Sequence, residues 1–265
     1  MRFMTWNIKT GGKGRLDAIT TVIKRERPDV LALQELRGFD RDDGRIMSDL
    51  ANAVGMVPHL ARSFLGQPVA VLVRPPLTII ERSSVRFRLH HAAAVVTVAT
   101  PAGPLRVVST HLNPFSPYRR MREALWLAAR YRPDKVPTVL AGDLNGLDPG
   151  TDHTETLAPQ PGFLRARHLA ADGTADTRAL AAFGAAGFVD LWKRVGSGSP
   201  LTVPTTRGGG REFSRMRLDY VLAGPTIAEG ASAMTVIRGD ETEFASDHYP
   251  VRVDLSAKID LIEPN

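Results

Sequence analysis

Ten short apolar runs, most of which stop on or beside a polar residue, limit this chain's folding options more than any other feature. Residues 3–8, 30–34, 69–73, 77–80, 93–99, 105–109, 138–141, 218–222, 233–237 and 251–255 are each of strand length. Runs of roughly four to eight apolar residues bounded by turn signals suit buried strands better than helices. Between them lie stretches with helical spacing. Residues 15–26 place Leu16, Ile19, Val22 and Ile23 on one face, and Pro28-Asp29 closes that helix. Residues 46–54, 118–131, 177–185 and 188–193 also read as helices, and residues 11–14 as a turn. Pro101-Ala102-Gly103-Pro104 is a turn joining two strands as a hairpin. Strands interleaved with about five helices predict an α/β or α+β layered architecture. No repeat or linker divides the chain, so residues 1–265 read as a single domain.

Composition narrows the function classes. The 265 residues are 43% hydrophobic, enough for a sizeable core. No segment approaches the roughly 18 apolar residues of a membrane helix. Met1 to Trp6 reads as the start of a strand, without the charged-then-apolar layout of a secretory signal. With no cysteine, disulfides and thiolate metal sites are excluded. The expectation is a cytoplasmic monomer with no membrane partner. The net charge is +6, and 28 of the 34 basic residues are arginine, whose planar fork suits phosphate. A basic surface fits an anionic partner, although a solvated arginine-rich face gives the same count.

Certain side chains recur beside the strands. Asn7 ends the first and Glu35 follows the second. His111 follows another, and Asp143 and Asn145 come after the strand at 138–141. Asp219 opens a strand, and Asp247 and His248 precede the last. Each alone is an ordinary turn or cap residue. Together they would form a polar pocket if those strand ends converge on one edge.

The ordered set Thr5-Trp6-Asn7, Gln34-Glu35, Ser109-Thr110-His111-Leu112, Gly142-Asp143-Leu144-Asn145, Leu218-Asp219-Tyr220-Val221 and Ser246-Asp247-His248-Tyr249-Pro250-Val251 resembles the endonuclease/exonuclease/phosphatase superfamily, also called deoxyribonuclease-I-like. The six motifs span residues 4–253 in family order. The resemblance implies a four-layer α/β/β/α sandwich of two sheets with helices outside, and an active site at one end.

Glu35 is the best candidate metal ligand, because magnesium takes hard oxygen ligands and is often held by one or two carboxylates. Asn7 would supply an amide oxygen or orient Glu35, and Asp247 could be a second ligand. The expected cofactor is Mg2+, with Mn2+ as a substitute, and one ion or two stays open. His111 and His248 are the proton-handling candidates. By the family pattern Asp143 orients or deprotonates the attacking water and Asn145 donates to the phosphate. By the same pattern Asp219 is expected to pair with His111, and His248 to contact the scissile phosphate as acid or base.

The substrate is less defined. The abasic-site repair branch carries a Tyr-X-Pro-Asn motif where this chain has Ser109-Thr110-His111-Leu112, which argues against that branch. Histidine there resembles the branches of deoxyribonuclease I, sphingomyelinases, deadenylases and tyrosyl-DNA phosphodiesterases. No disulfide framework and no apolar docking hairpin supports a secreted nuclease or a sphingomyelinase. Residues 114–122 hold Tyr118, Arg119, Arg120 and Arg122; residues 205–217 hold Arg207, Arg211, Arg215 and Arg217. Arg119, Arg207, Arg211 and Arg215 are the candidate contacts to a nucleic-acid backbone. Residues 148–176 form a long irregular stretch whose Asp152, His153 and His168 are candidates to shape the pocket. The leading expectation is a phosphoester substrate that is DNA or RNA. The alternatives are a phosphatase or phosphodiesterase of a small molecule, and a catalytically silent binding module.

Overall fold

The strand-length runs become two six-stranded mixed sheets in the computed structural model, which describes residues 1–209 and 214–256. The first sheet contains β1 (Arg2–Asn7), β2 (Val30–Gln34), β3 (Val57–Ala61) and β4 (Val69–Val73), with β11 (Ala231–Val236) and β12 (Val251–Leu255). Its order is β11-β12-β1-β2-β4-β3. The second contains β5 (Thr78–Val85), β6 (Ala93–Thr100), β7 (Gly103–His111), β8 (Thr138–Asp143), β9 (Val189–Asp190) and β10 (Asp219–Ala223). Its order is β5-β6-β7-β8-β10-β9.

The sheets pack face to face. Phe3, Val71, Val96, Val107, Val139, Val221 and Val253 contribute to the core between them. These β-branched and aromatic side chains fit a pleated surface covered on both faces. On the outer face of the first sheet, α1 (Leu16–Glu26) and α2 (Arg45–Val54) bury Ile19, Val22, Leu50 and Val54 against Trp6 and Leu33. On the outer face of the second, α3 (Pro117–Arg130) and the helix Arg178–Ala185 bury Ala124, Leu127 and Phe183 against Val108 and Leu140. This is the expected four-layer sandwich. Among the described residues, no helix is long and apolar enough to cross a membrane.

Three of the differences from the sequence expectation fall at sheet edges. The run at 188–193 splits: Val189–Asp190 forms β9, and the helix begins at Leu191, with the Asp190 carboxylate accepting from Trp192 N at 3.0 Å. That cap stops the helical pattern from extending backward. The strand predicted at 77–80 runs to Val85, because its exposed Glu81-Arg82-Ser83-Ser84 half lies on an edge where polar residues are tolerated. β3, with Pro58 and His59, is an edge of the first sheet and had no apolar signature.

Register brings the site together. β1 and β2 run parallel with Asn7 opposite Gln34, so Glu35 emerges beside Asn7. β7 and β8 run parallel with His111 opposite Asp143, and β10 runs antiparallel to β8 with Asp219 opposite Asp143. Between the sheets, buried Gln34 Nε2 donates to Ser109 Oγ at 3.1 Å, fixing one sheet against the other beneath these ends. Gly142 keeps β8 this close to β7: at φ +142 an added Cβ would lie 1.9 Å from the Thr110 carbonyl oxygen.

Candidate active site

Asp143 is the hub of the converging ends. Its Oδ2 accepts from Asn7 Nδ2 at 3.0 Å and lies 3.4 Å from His111 Nε2 and 3.7 Å from His248 Nε2. Its Oδ1 accepts from Asn145 N at 3.0 Å. Asn145, at φ 48, turns its side chain back to donate to the Leu112 carbonyl at 3.1 Å. Non-glycine residues rarely hold a positive φ unless their surroundings enforce it, and such positions cluster at functional sites. Glu35, at φ 59, is another.

His248 arrives from the first sheet. Its Nδ1 is 2.7 Å from Asp219 Oδ2, and its carbonyl accepts from Trp6 Nε1 at 2.8 Å. Burial alone would lower its pKa, but Asp219 and then Asp143 outweigh burial and push it up to about 10. His248 is therefore an imidazolium across the neutral range. Burial raises the Asp143 carboxyl, and the attraction of His111 and His248 only partly offsets this.

The expected pairing of Asp219 with His111 is corrected here. His111, Asp143 and Asp219 sit on adjacent strands β7, β8 and β10 in one row. His111 and Asp219 are thus two strand spacings apart, roughly 10 Å at about 4.8 Å per strand. Asp143 lies between them, and Asp219 reaches the histidine that comes from the other sheet.

The other side of the cleft is acidic and cationic. Glu35 Oε1 accepts from Asn7 Nδ2 at 3.0 Å, and Oε2 accepts from Thr10 N at 2.9 Å. Burial raises the Glu35 pKa, but His111, Asn7 and Thr10 together hold it below its ordinary value, so it is an anion. Asn7 presents its NH2 to Glu35 and Asp143, while its oxygen accepts from Lys9 N at 2.9 Å. Of the two roles expected of Asn7, this arrangement matches the orienting one: its oxygen is engaged in a local turn and its NH2 holds the carboxylates. Asp247 Oδ2 lies 3.0 Å from Lys9 Nζ. Two donor groups could hold a divalent ion. One is Glu35 with its neighbours. The other is Asp143, Asp219 and His248, which bring ligand atoms within 4.8 Å of one another. The His248–Asp219 bond already commits two of those three to each other.

The cleft has a volume of about 400 Å³ and gathers Glu35, His111, Asp143, Asn145, Asp247 and His248 on its walls. Sequence reasoning missed Lys9, Arg37, Gln67, His90, His91 and Arg167, which also line it. His91 stacks on His111 with ring centroids 4.3 Å apart, and burial holds it neutral. His168, one of three candidates from the irregular stretch, does reach the cleft, and burial lowers its pKa to about 3. Asp152 and His153 line separate hollows.

Of the arginines chosen as nucleic-acid contacts, Arg119, Arg207 and Arg215 lie outside the cleft walls. Arg207 stacks on Phe244, 4.9 Å from its centroid, and Arg215 borders a hollow beside Trp192. Arg211 lies outside the described residues. Arg119 lines a neighbouring groove of about 550 Å³ with Arg88, Arg122, Phe87, Tyr118 and Trp126. Arg120 is buried instead: its Nη1 donates to the Asn113 carbonyl at 3.0 Å and its Nη2 to the Arg167 carbonyl. One turn on, Glu123 accepts from His90 N at 2.5 Å and Asn113 N at 2.7 Å. Two buried polar side chains of α3 thereby hold three wall segments of the cleft.

A two-sheet sandwich with paired carboxylates and imidazoles at one end is the arrangement that the resemblance to phosphoester hydrolases led one to expect. The model of the Endonuclease/Exonuclease/phosphatase family matches residues 4–248, and the chain belongs to that family. Solved structures agree in fold. A family protein from Bacteroides thetaiotaomicron matches at TM-score 0.70 and 14% identity over 96% of both chains. Mannosyl-6-phosphatase Bt3783 from the same organism matches at TM-score 0.68 and 14% identity, over 97% of this chain and 99% of that one. Truncated Caenorhabditis elegans TDP2 matches at TM-score 0.64 and 18% identity over 95% of both chains. No curated protein sequence matches the chain. The chain is a phosphoester hydrolase of this family, whose enzymes depend on divalent metals.

Proposed function

We propose that the protein is a magnesium-dependent phosphodiesterase that cleaves a nucleic-acid strand in this cleft. The observation that carries the reading is the groove holding Arg88, Arg119 and Arg122 beside Phe87, Tyr118 and Trp126, which joins the cleft through His90. Guanidiniums track a phosphate backbone, and aromatic faces stack bases. The one carboxylate lining that groove, Glu123, is already occupied by two backbone N–H groups.

Glu35 is the proposed metal anchor: it is anionic, at the cleft wall, and offers hard oxygen atoms. A divalent ion bound there supplies Lewis-acid polarisation of a phosphoryl oxygen and charge stabilisation. Asp143, buried between two imidazoles and held by Asn7 and Asn145, accepts a proton from the attacking water. The His248 imidazolium, fixed by Asp219, donates to phosphate oxygens and stabilises the charge that builds in the transition state. His111 lies on the opposite side of Asp143 and holds the phosphate there.

A second reading, a phosphatase or phosphodiesterase of a small molecule, is favoured by one observation. Leu164, Arg167 and His168 wall the cleft, whose volume of about 400 Å³ suits a compact substrate. Assays on plasmid, single-stranded DNA, RNA and phosphorylated small molecules separate the two. The nucleic-acid reading predicts cleavage of a polynucleotide that weakens steeply with salt. Replacing Arg88, Arg119 and Arg122 by Ala should flatten the log–log salt slope by about 2, at about 0.7 per phosphate contact on a single strand. Inertness toward every polynucleotide, with turnover of a small phosphate ester, would overturn it in favour of the second reading.

A further inference from the structure

We propose that Lys9 is the site's resident second cation: its ammonium holds Asp247 and leaves one divalent position, at Glu35. The inference rests on the metal reading of Glu35. Asp247 is nearly buried, and Lys9 Nζ lies 3.0 Å from its Oδ2. The same ammonium donates to the Gly208 carbonyl at 3.0 Å, so it is held from two sides. A divalent ion at Asp247 would have to displace a charge already matched to that carboxylate.

The backbone points the same way. Lys9, Thr10, Gly11 and Gly12 have φ of 52, 50, 71 and 60, a run of left-handed residues that includes two with side chains. Such a conformation persists where the surroundings enforce it. Here they do: Lys9 N donates to Asn7 Oδ1, Thr10 N to Glu35 Oε2, and Gly11 N to the Glu35 carbonyl at 2.6 Å. The Lys9 carbonyl in turn accepts from Arg15 Nη2 at 2.6 Å. One strained turn therefore gives one oxygen of Glu35 a backbone donor and delivers an ammonium to Asp247. Arg15 adds a second fixed cation whose field acts on both Asp247 and Glu35. Of the two carboxylates, Asp247 is in direct contact with an ammonium, and Glu35 has no ion pair among the described residues, so Glu35 is the one left for a divalent ion.

Counting Mn2+ tests this without reference to turnover. Calorimetric titration of the full chain, with anomalous diffraction from crystals soaked in Mn2+, gives both the number and the place of bound ions. The wild-type protein should bind one ion, beside Glu35. Lys9→Met should bind two, the new one at Asp247, and Lys9→Met combined with Asp247→Asn should return to one. Lys9→Gln, which keeps a polar tip at a partly exposed position, should match Lys9→Met and guards against loss of fold in either. Two ions in the wild type, or one in both single variants, would overturn the assignment. No ion in the wild type would remove the metal reading at Glu35 and the proposal with it.

Discussion

Asp219→Asn isolates the most consequential charge in the cleft while keeping its shape. Asparagine can still accept from His248 Nδ1 across the present 2.7 Å, so geometry is preserved and only the charge is lost. His248 is raised from 6.5 to about 10, which is worth roughly 5 kcal/mol at about 1.36 kcal/mol per pH unit. Asp219 is the largest of the raising influences, ahead of Asp143. Assigning it about half gives a loss of roughly 2.5 kcal/mol, so that above about pH 10 the variant holds on the order of 100-fold less imidazolium, with turnover reduced to match. The assay is kcat/KM against pH at saturating metal. In the wild type the rate should rise as Asp143 ionises and fall only as His248 loses its proton near pH 10. In the variant the alkaline limb should move down by about two pH units, at half of the original rise. Stability follows the same sign. A histidine raised in the folded state stabilises fully below its ordinary pKa, and that contribution is lost as pH rises through about 10. The variant should therefore lose stability at neutral pH and little above pH 10. An unchanged alkaline limb and wild-type rates at pH 8.5 would refute the role given to this pair.

Further outcomes are expected on the same grounds. Asp143→Ala and His248→Ala should each reduce turnover by roughly two to four orders of magnitude, the usual range for a lost acid–base group, with an unaltered circular dichroism spectrum. Wild-type rates in a folded Asp143→Ala protein would exclude Asp143 as the base. Arg120→Met removes the donors that tie Asn113 and Arg167 to α3. Its orphaned carbonyls should cost about 1–3 kcal/mol each in a denaturant melt, and the loosened wall should raise KM more than it lowers kcat. Equal losses in both parameters would mean that Arg120 does not act through the wall.

Much of the site was legible because it lies at strand ends, where sequence signals are clearest. An apolar run that stops on Asn7, Glu35, His111 or Asp143 marks both the strand and the residue it presents. The pairing of those residues was not legible, since it depends on strand order. Only β8 lying between β7 and β10 shows that Asp219 and His111 are held apart. The direction each arginine faces was not legible for a related reason. Arg119, Arg120 and Arg122 are neighbours in sequence, yet helical geometry sends Arg120 inward to two carbonyls while Arg119 and Arg122 line the outer groove. Lys9 gave no signal at all. Its role follows from a left-handed turn and from Asp247, 238 positions away by number (247 − 9), in a different element.

Metal-assisted phosphoester hydrolysis is proposed for the Glu35–Asp143–His248 cleft. The most direct test is the hydrolysis rate of the purified protein in excess EDTA, followed by stepwise return of Mg2+ or Mn2+. Activity that vanishes with chelation, returns with either ion, and stays absent in Glu35→Gln at the same ion concentration is the expected result. Undiminished hydrolysis in excess chelator would contradict it.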